Sequence, residues 1–173
     1  ECIETQTEFG KLDYDLHIAL APTKNIDRTE WFLEKCTEIG ISEFTPLLCK
    51  HSERKIIKHD RLFKVITSAV KQSLKAYHPT LNELTKFSDL VKTNFDGDKF
   101  IAHCYDGDKS HLKKLCKPKS KCLILIGPEG DFSPEEVGLA KENGFKEITL
   151  GNSRLRTETA GVVACNIVSL SNY

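Results

Sequence analysis

Short blocks of apolar residues alternate along this chain with longer stretches in which apolar positions recur every three or four residues. The blocks LHIALAPT (16–23), ISEFTPLLC (41–49), KFIAHCY (99–105), KCLILIG (121–127) and KEITLG (146–151) read as strands, and KCLILIG is the clearest buried one. The intervening stretches read as helices. In NIDRTEWFLEKCTEIG, Asp27 and Glu30 fit a capping box, Phe32, Cys36 and Ile39 share a face, and Gly40 stops the helix. A longer helix is predicted from Asp60 to Ala76, with Leu62, Val65, Ile66, Ala69 and Val70 inward and Pro79 ending it. Residues 81–94 hold a short helix, and DKSHLKKLC is a loop or another short helix. Ser133, Pro134 and Glu136 mark a strong helix start, closed at Gly144. The last helix is expected from Thr159 to Ser169, with Val163, Ile167 and Leu170 on one face.

Strands alternating with helices imply an α/β domain whose largely parallel sheet is covered on both faces. Residues 1–15 read as an arm or the remnant of a preceding domain, and 16–173 as the domain itself. Ligands of such sheets bind beyond the carboxyl ends of the strands. The loops after Cys104, Ile126 and Leu150 are therefore the places to look.

Composition narrows the class. At 39% hydrophobic and 29% charged the chain is globular, and no run of 18 apolar residues spans a membrane. It begins at Glu1 and has no Met, as a piece of a longer protein would. The seven cysteines, Cys2, Cys36, Cys49, Cys104, Cys116, Cys122 and Cys165, include no C-x-x-C pair. They read as free, mostly buried thiols in a reducing cytoplasm, and zinc-ligand spacing is absent. The net charge is zero, which argues against binding nucleic acid through bulk charge. The segment Lys50–Lys75 is nonetheless locally basic. It is either a solvated helix face or a phosphate-binding surface, with Arg54, Lys55 and Lys58 its leading residues.

Two loops carry candidate chemistry. In LIGPEGDFSPEE (125–136), Gly127 and Gly130 permit close backbone approach, and Pro128 stiffens the turn. No G-K-[ST] follows and no G-x-G-x-x-G is present, while Glu129 and Asp131 would repel phosphate, so a cofactor without phosphates fits better. In LGNSRLRTETAG (150–161), Arg154 and Arg156 lie two apart, Thr157 or Thr159 could cap the following helix, and Glu158 could orient an arginine. The alternatives are a tight structural turn and arginines that face only water. His103, at a strand end, is a satisfied histidine or a proton acceptor.

Four stretches together carry a resemblance: TEWFLEKCTEIGISEFTPLLC (29–49), AVKQSLKAYHP (69–79), LIGPEGDFSPEE (125–136) and LGNSRLRTETA (150–160). They resemble the RsmE family of 16S rRNA uridine-N3 methyltransferases, of the SPOUT superfamily. That resemblance implies an α/β SPOUT domain with a C-terminal trefoil knot and a homodimer that uses S-adenosyl-L-methionine. It also implies 16S rRNA of the small ribosomal subunit as substrate, a cytoplasmic setting, no metal, and a PUA-like barrel preceding the domain. It implies a cofactor site formed by Leu125, Ile126, Gly127, Pro128, Glu129, Gly130, Leu150, Gly151, Leu155, Thr159 and Ala160. Arg156 would stabilise charge with Glu158 holding it, and Arg54, Lys55, Lys58 and Arg154 would meet RNA. The family usually has glycine where Asp131 stands, and arginine then a hydrophobic residue where Ser153 and Arg154 stand. The rival functions are 2′-O-ribose methylation by a related SPOUT enzyme and a non-catalytic rRNA-binding or ribosome-assembly protein.

Overall fold

The computed structural model describes Thr5 and residues 7–173, so Cys2 and the very start of the predicted arm lie outside it. The strands are β1 Asp15–Leu20, β2 Glu43–Leu48, β3 Thr80–Leu81, β4 Thr85–Lys86, β5 Asp98–Ala102, β6 Ser110–His111, β7 Lys121–Ile126 and β8 Lys146–Thr149. Among the described residues every strand pairing is parallel, in the order β3-β2-β1-β7-β5-β8-β6, with β4 beside the far end of β2. The helices are α1 Ile26–Ile39, α2 His59–Gln72, α3 Phe87–Leu90, α4 Leu112–Leu115, α5 Pro134–Glu142 and α6 Thr157–Leu170.

The continuous apolar run of β7 splits by residue parity. Cys122, Ile124 and Ile126 face one layer with α1, α2 and α6, while Leu123 and Leu125 face the other with α3 and α5. Leu16, Ile18 and Leu20 of β1 repeat the division against Ala19. Both faces are thus dry, as the sequence pattern implied. Each fully buried Leu or Ile contributes about 1.5–3 kcal/mol.

Several predicted details change. Asn25, not Asp27, caps α1, accepting from the Asp27 backbone N–H at 3.1 Å. Asp27 and Glu30 are drawn off to Arg61 of α2. Helix α2 stops at Gln72, well before Pro79. Leu74 turns left-handed (φ 54°), and the Lys75 N–H bonds back to the Val70 carbonyl, closing the helix end. The segment 108–116 supplies the edge strand β6 as well as the short helix α4.

Helix α6 buries a different face from the one predicted. Gly161, Ala164, Cys165 and Val168 face the core, whereas Leu170 is 62% exposed and Val163 and Ile167 are half-buried. The reason is Gly161. A Cβ there would stand 2.5 Å from Phe32 and 2.8 Å from Leu20, so only glycine lets α6 lie so close to β1 and α1.

The capping box of Ser133 and Glu136 forms in full. Cys36, Cys49, Cys122 and Cys165 are buried, and the six described cysteines are free. Burial pushes the Cys116 thiol up to about 11, so it is a poor nucleophile.

Candidate functional site

β7, β5 and β8 are neighbours in the sheet, and their carboxyl ends open onto one cavity of about 670 Å³. That is the size of a small-molecule site. The three loops singled out from sequence all reach it. The loop after β7 supplies Gly127, Pro128, Glu129 and Asp131, and the loop after β8 supplies Leu150 through Thr157. The loop after β5 supplies His103, Cys104 and Lys109.

Hydrogen bonds tie these loops together. The Thr157 hydroxyl donates to the Gly127 carbonyl at 3.0 Å. Thr157 is thereby the first residue of α6 and a bridge, not its cap; Arg156 occupies the cap position without a side-chain bond. Asp131 adopts φ +64°, a left-handed conformation that aspartate tolerates better than most side chains. This accounts for a glycine being usual there in the family the chain resembles. Its two carboxylate oxygens accept the backbone N–H groups of Phe132 and Cys104, each at 2.8 Å. Glu129 leans outward and accepts the Lys24 N–H at 2.9 Å.

Most predicted cofactor residues converge. Ile126, Gly127, Pro128, Glu129, Leu150, Gly151, Leu155 and Ala160 line the cavity, as do Arg154 and Arg156. Leu125 does not: strand alternation turns it into the opposite core layer. Gly130 faces away, where a Cβ would meet His51 at 3.2 Å. Thr159 lies outside the wall as well.

Glu158 is buried, and its nearest cation is Arg28 at 3.9 Å rather than Arg156. Its other carboxylate oxygen, Oε2, is buried without a hydrogen-bond partner among the described residues. The expected Glu158–Arg156 pairing is therefore replaced by one to α1. The Arg156 side chain is exposed at the cavity, free of hydrogen bonds and ion pairs among the described residues.

Sequence reasoning missed Arg28, because nothing in the pattern says that β1 lies beside β7 and so brings the start of α1 to the cavity. It also missed Lys109, whose ammonium donates to the His103 and Tyr105 carbonyls at 2.8 and 2.6 Å. The His103 side chain is only 1% exposed, with Nε2 3.0 Å from Glu147. Burial, then Lys109, lowers its pKa against the opposing pull of Glu147. The shielded ring, tied to Glu147, is a structural element of the cavity wall.

The basic segment divides too. Arg54 is taken up by the fold, donating to the Thr23 and Lys24 carbonyls at 3.0 and 2.6 Å. Lys55 and Lys58 are exposed, without ion pairs among the described residues. No group of His, Cys, Asp or Glu suited to a metal occurs among the described residues.

The donor set suits a cofactor with an apolar ring system. Ile126, Leu150 and Leu155 give apolar contact, and peptide groups on two loops give directional bonds.

The chain is similar to known proteins along most of its length. The family described as RNA methyltransferase domain matches residues 10–169. Ribosomal RNA small subunit methyltransferase E of Aquifex aeolicus is 27% identical over 169 residues, covering 95% of this chain and 72% of that protein. A probable rRNA methyltransferase from Porphyromonas gingivalis superposes with a TM-score of 0.87 at 41% identity, over 92% of this chain and 68% of its own. Ribosomal RNA small subunit methyltransferase E from Neisseria gonorrhoeae, solved bound to S-adenosyl methionine, superposes with a TM-score of 0.76 at 26% identity, over 88% of this chain and 64% of its own. The chain thus spans 64% to 72% of the length of these three relatives. With the family pattern running through every strand and loop that builds the cavity, this protein belongs to the RNA methyltransferase domain family.

Proposed function

We propose that this chain is the catalytic domain of a 16S rRNA methyltransferase that takes its methyl group from S-adenosyl-L-methionine and delivers it to the N3 of a uridine. The observation that carries the reading is the meeting of the β7 and β8 loops around one cavity, with the Arg156 side chain unpaired at its rim. The relatives named for small-subunit rRNA methylation, one of them solved with S-adenosyl methionine, support it.

Gly127, Pro128, Leu150, Gly151 and Leu155 would hold the cofactor, which supplies an activated methyl group on a sulfonium. Arg156 pairs with the negative charge that builds on the uracil oxygens as the N3 proton passes to water. Arginine remains protonated, so it stabilises charge and does not act as the base. Arg154, in the same wall, meets the RNA backbone or takes the place vacated at Ser153, and Lys55 and Lys58 extend the contact. The N3 edge is used in pairing, so the target base is unpaired or turned out of its stack.

The reading further includes residues 16–173 as one SPOUT domain with a C-terminal trefoil knot and a homodimeric assembly. It also includes a cytoplasmic setting on the small ribosomal subunit. The half-buried Val163 with exposed Leu170 on α6, and Trp31 (44% exposed) on α1, support an apolar contact with a second copy.

The test is incubation of undermethylated small subunits with methyl-labelled S-adenosyl-L-methionine, followed by digestion and separation of nucleosides. Label in 3-methyluridine is the expected result. Label in a 2′-O-methyl nucleoside would assign the related ribose chemistry, and rRNA binding without label would assign a non-catalytic role.

A further inference from the structure

Asp131 lies in the cavity wall in a strained setting, and both of its carboxylate oxygens are fixed. Its φ of +64° is one that glycine adopts more easily, yet a charged side chain stands there. The Asp131 N–H bonds to the Pro128 carbonyl at 2.9 Å, which sets the turn. Oδ1 and Oδ2 then accept from the Phe132 and Cys104 backbones at 2.8 Å each. Backbone amides carry no net charge, and Asp131 forms no ion pair among the described residues. The nearby ammonium of Lys109 is committed to the His103 and Tyr105 carbonyls. Glu129, the other carboxylate in the wall, is turned to the Lys24 backbone. A negative charge is therefore held rigidly, with lone pairs to spare, in a wall that also carries Arg28, Lys109, Arg154 and Arg156, none of them ion-paired to it among the described residues.

We infer that Asp131 sets the preference of this cavity for a cationic ligand over its neutral counterpart. The inference rests on the cofactor reading above. S-adenosyl-L-methionine carries a positive sulfur. When the methyl group passes to N3, the S–CH3 bond breaks and its electron pair stays on sulfur, so S-adenosyl-L-homocysteine is neutral there. Apart from the departed methyl group and that charge, the two ligands offer the same groups, and sinefungin separates the two by carrying the charge on an amine. A fixed carboxylate in a cavity of reduced dielectric attracts the first and not the second. Asp131 thus helps the spent cofactor leave and fresh cofactor enter, and its rigidity matters because a mobile carboxylate would turn to solvent.

Calorimetric titration of the wild type and Asp131→Asn with S-adenosyl-L-methionine, S-adenosyl-L-homocysteine and sinefungin, which carries an amine in place of the sulfonium, tests this. Asparagine tolerates the same φ but keeps an oxygen for only one of the two backbone N–H groups, so the exchange removes the charge together with one hydrogen bond, a loss common to all three ligands and absent from their ratio. The expected result is a fall in the preference for the two cationic ligands over the homocysteine form of roughly three- to tenfold. Affinity for the neutral ligand should stay within about twofold. Equal weakening of all three ligands, or an unchanged ratio, would overturn the inference and leave Asp131 a loop clamp. If Asp131→Asn does not fold, Asp131→Gly suits the positive φ and the same ratio is read. Failure of the wild type to bind any of the three would overturn the cofactor reading itself, and this inference with it.

Discussion

The Thr157 hydroxyl donates to the Gly127 carbonyl at 3.0 Å, joining the first turn of α6 to the turn that follows β7. This buried bond fixes the spacing between the two loops that form most of the cavity. Thr157→Val keeps the shape, removes the donor and leaves a buried carbonyl unpaired. Denaturant unfolding should show a loss of about 1–3 kcal/mol, and cofactor affinity should fall several-fold. Thr157→Ser should restore both; equal behaviour of Val and Ser would show that the bond does not couple the loops.

Two glycines should respond oppositely to the same change. At Gly161 an added Cβ would stand 2.5 Å from the buried Phe32 ring. Gly161→Ala should therefore cost about 1–3 kcal/mol, despite the better helix propensity of alanine. At Gly138, inside α5, a Cβ meets nothing within 4 Å. Gly138→Ala should stabilise by up to about 1 kcal/mol. Thermal melts of the two variants decide the matter, and a common sign would contradict the packing described for α6.

Stability should decline on the acid side through two histidines. His103 and His17 both have pKa values lowered below 6.5, in each case chiefly by burial. The unfolded chain therefore takes up protons before the folded one does. Their contribution is present above about pH 6.5 and is lost as pH falls below it. Melting temperatures between pH 7.5 and 5 should fall, and His103→Gln, which keeps a donor for Glu147, should flatten the curve. A variant with the same slope as wild type would remove His103 from the account.

Arg156 and Glu158 should behave as separate elements. Arg156→Lys keeps the charge and loses the planar fork, and should slow single-turnover methyl transfer by a factor on the order of 10 or more. Because Glu158 lies 3.9 Å from Arg28, a double-mutant cycle should show coupling between Glu158 and Arg28 and none between Glu158 and Arg156. The reverse pattern would restore the pairing expected from sequence.

For RNA, Lys55 and Lys58 are the free cations of the basic loop. Reversing both charges should reduce the slope of log affinity against log salt by about 2 and leave cofactor affinity unchanged. Arg54→Ala should instead lower thermal stability, since its guanidinium closes on the Thr23 and Lys24 carbonyls. An unaltered salt slope in the double variant would mean that this loop faces only water.

Much was settled by the sequence alone. Apolar runs of strand length, parted by capped amphipathic segments, impose buried parallel strands between helices, because peptide groups in a dry core must pair with one another. Ser133, Pro134 and Glu136 fixed the start of α5 for a local reason, since the donors and acceptors of a capping box lie within one turn. The two glycine-bearing loops were legible as a site because their residue types allow close backbone approach. What sequence could not decide was which elements meet. That β1 sits beside β7, and so brings Arg28 to the cavity and to Glu158, follows from strand order, which no local pattern encodes. The buried face of α6 was misjudged because its helical period fits two stripes. The tertiary structure chose the one where Gly161 lets the helix lie against Phe32 and Leu20, and steric contact across 129 residues of chain, from Phe32 to Gly161, made that choice.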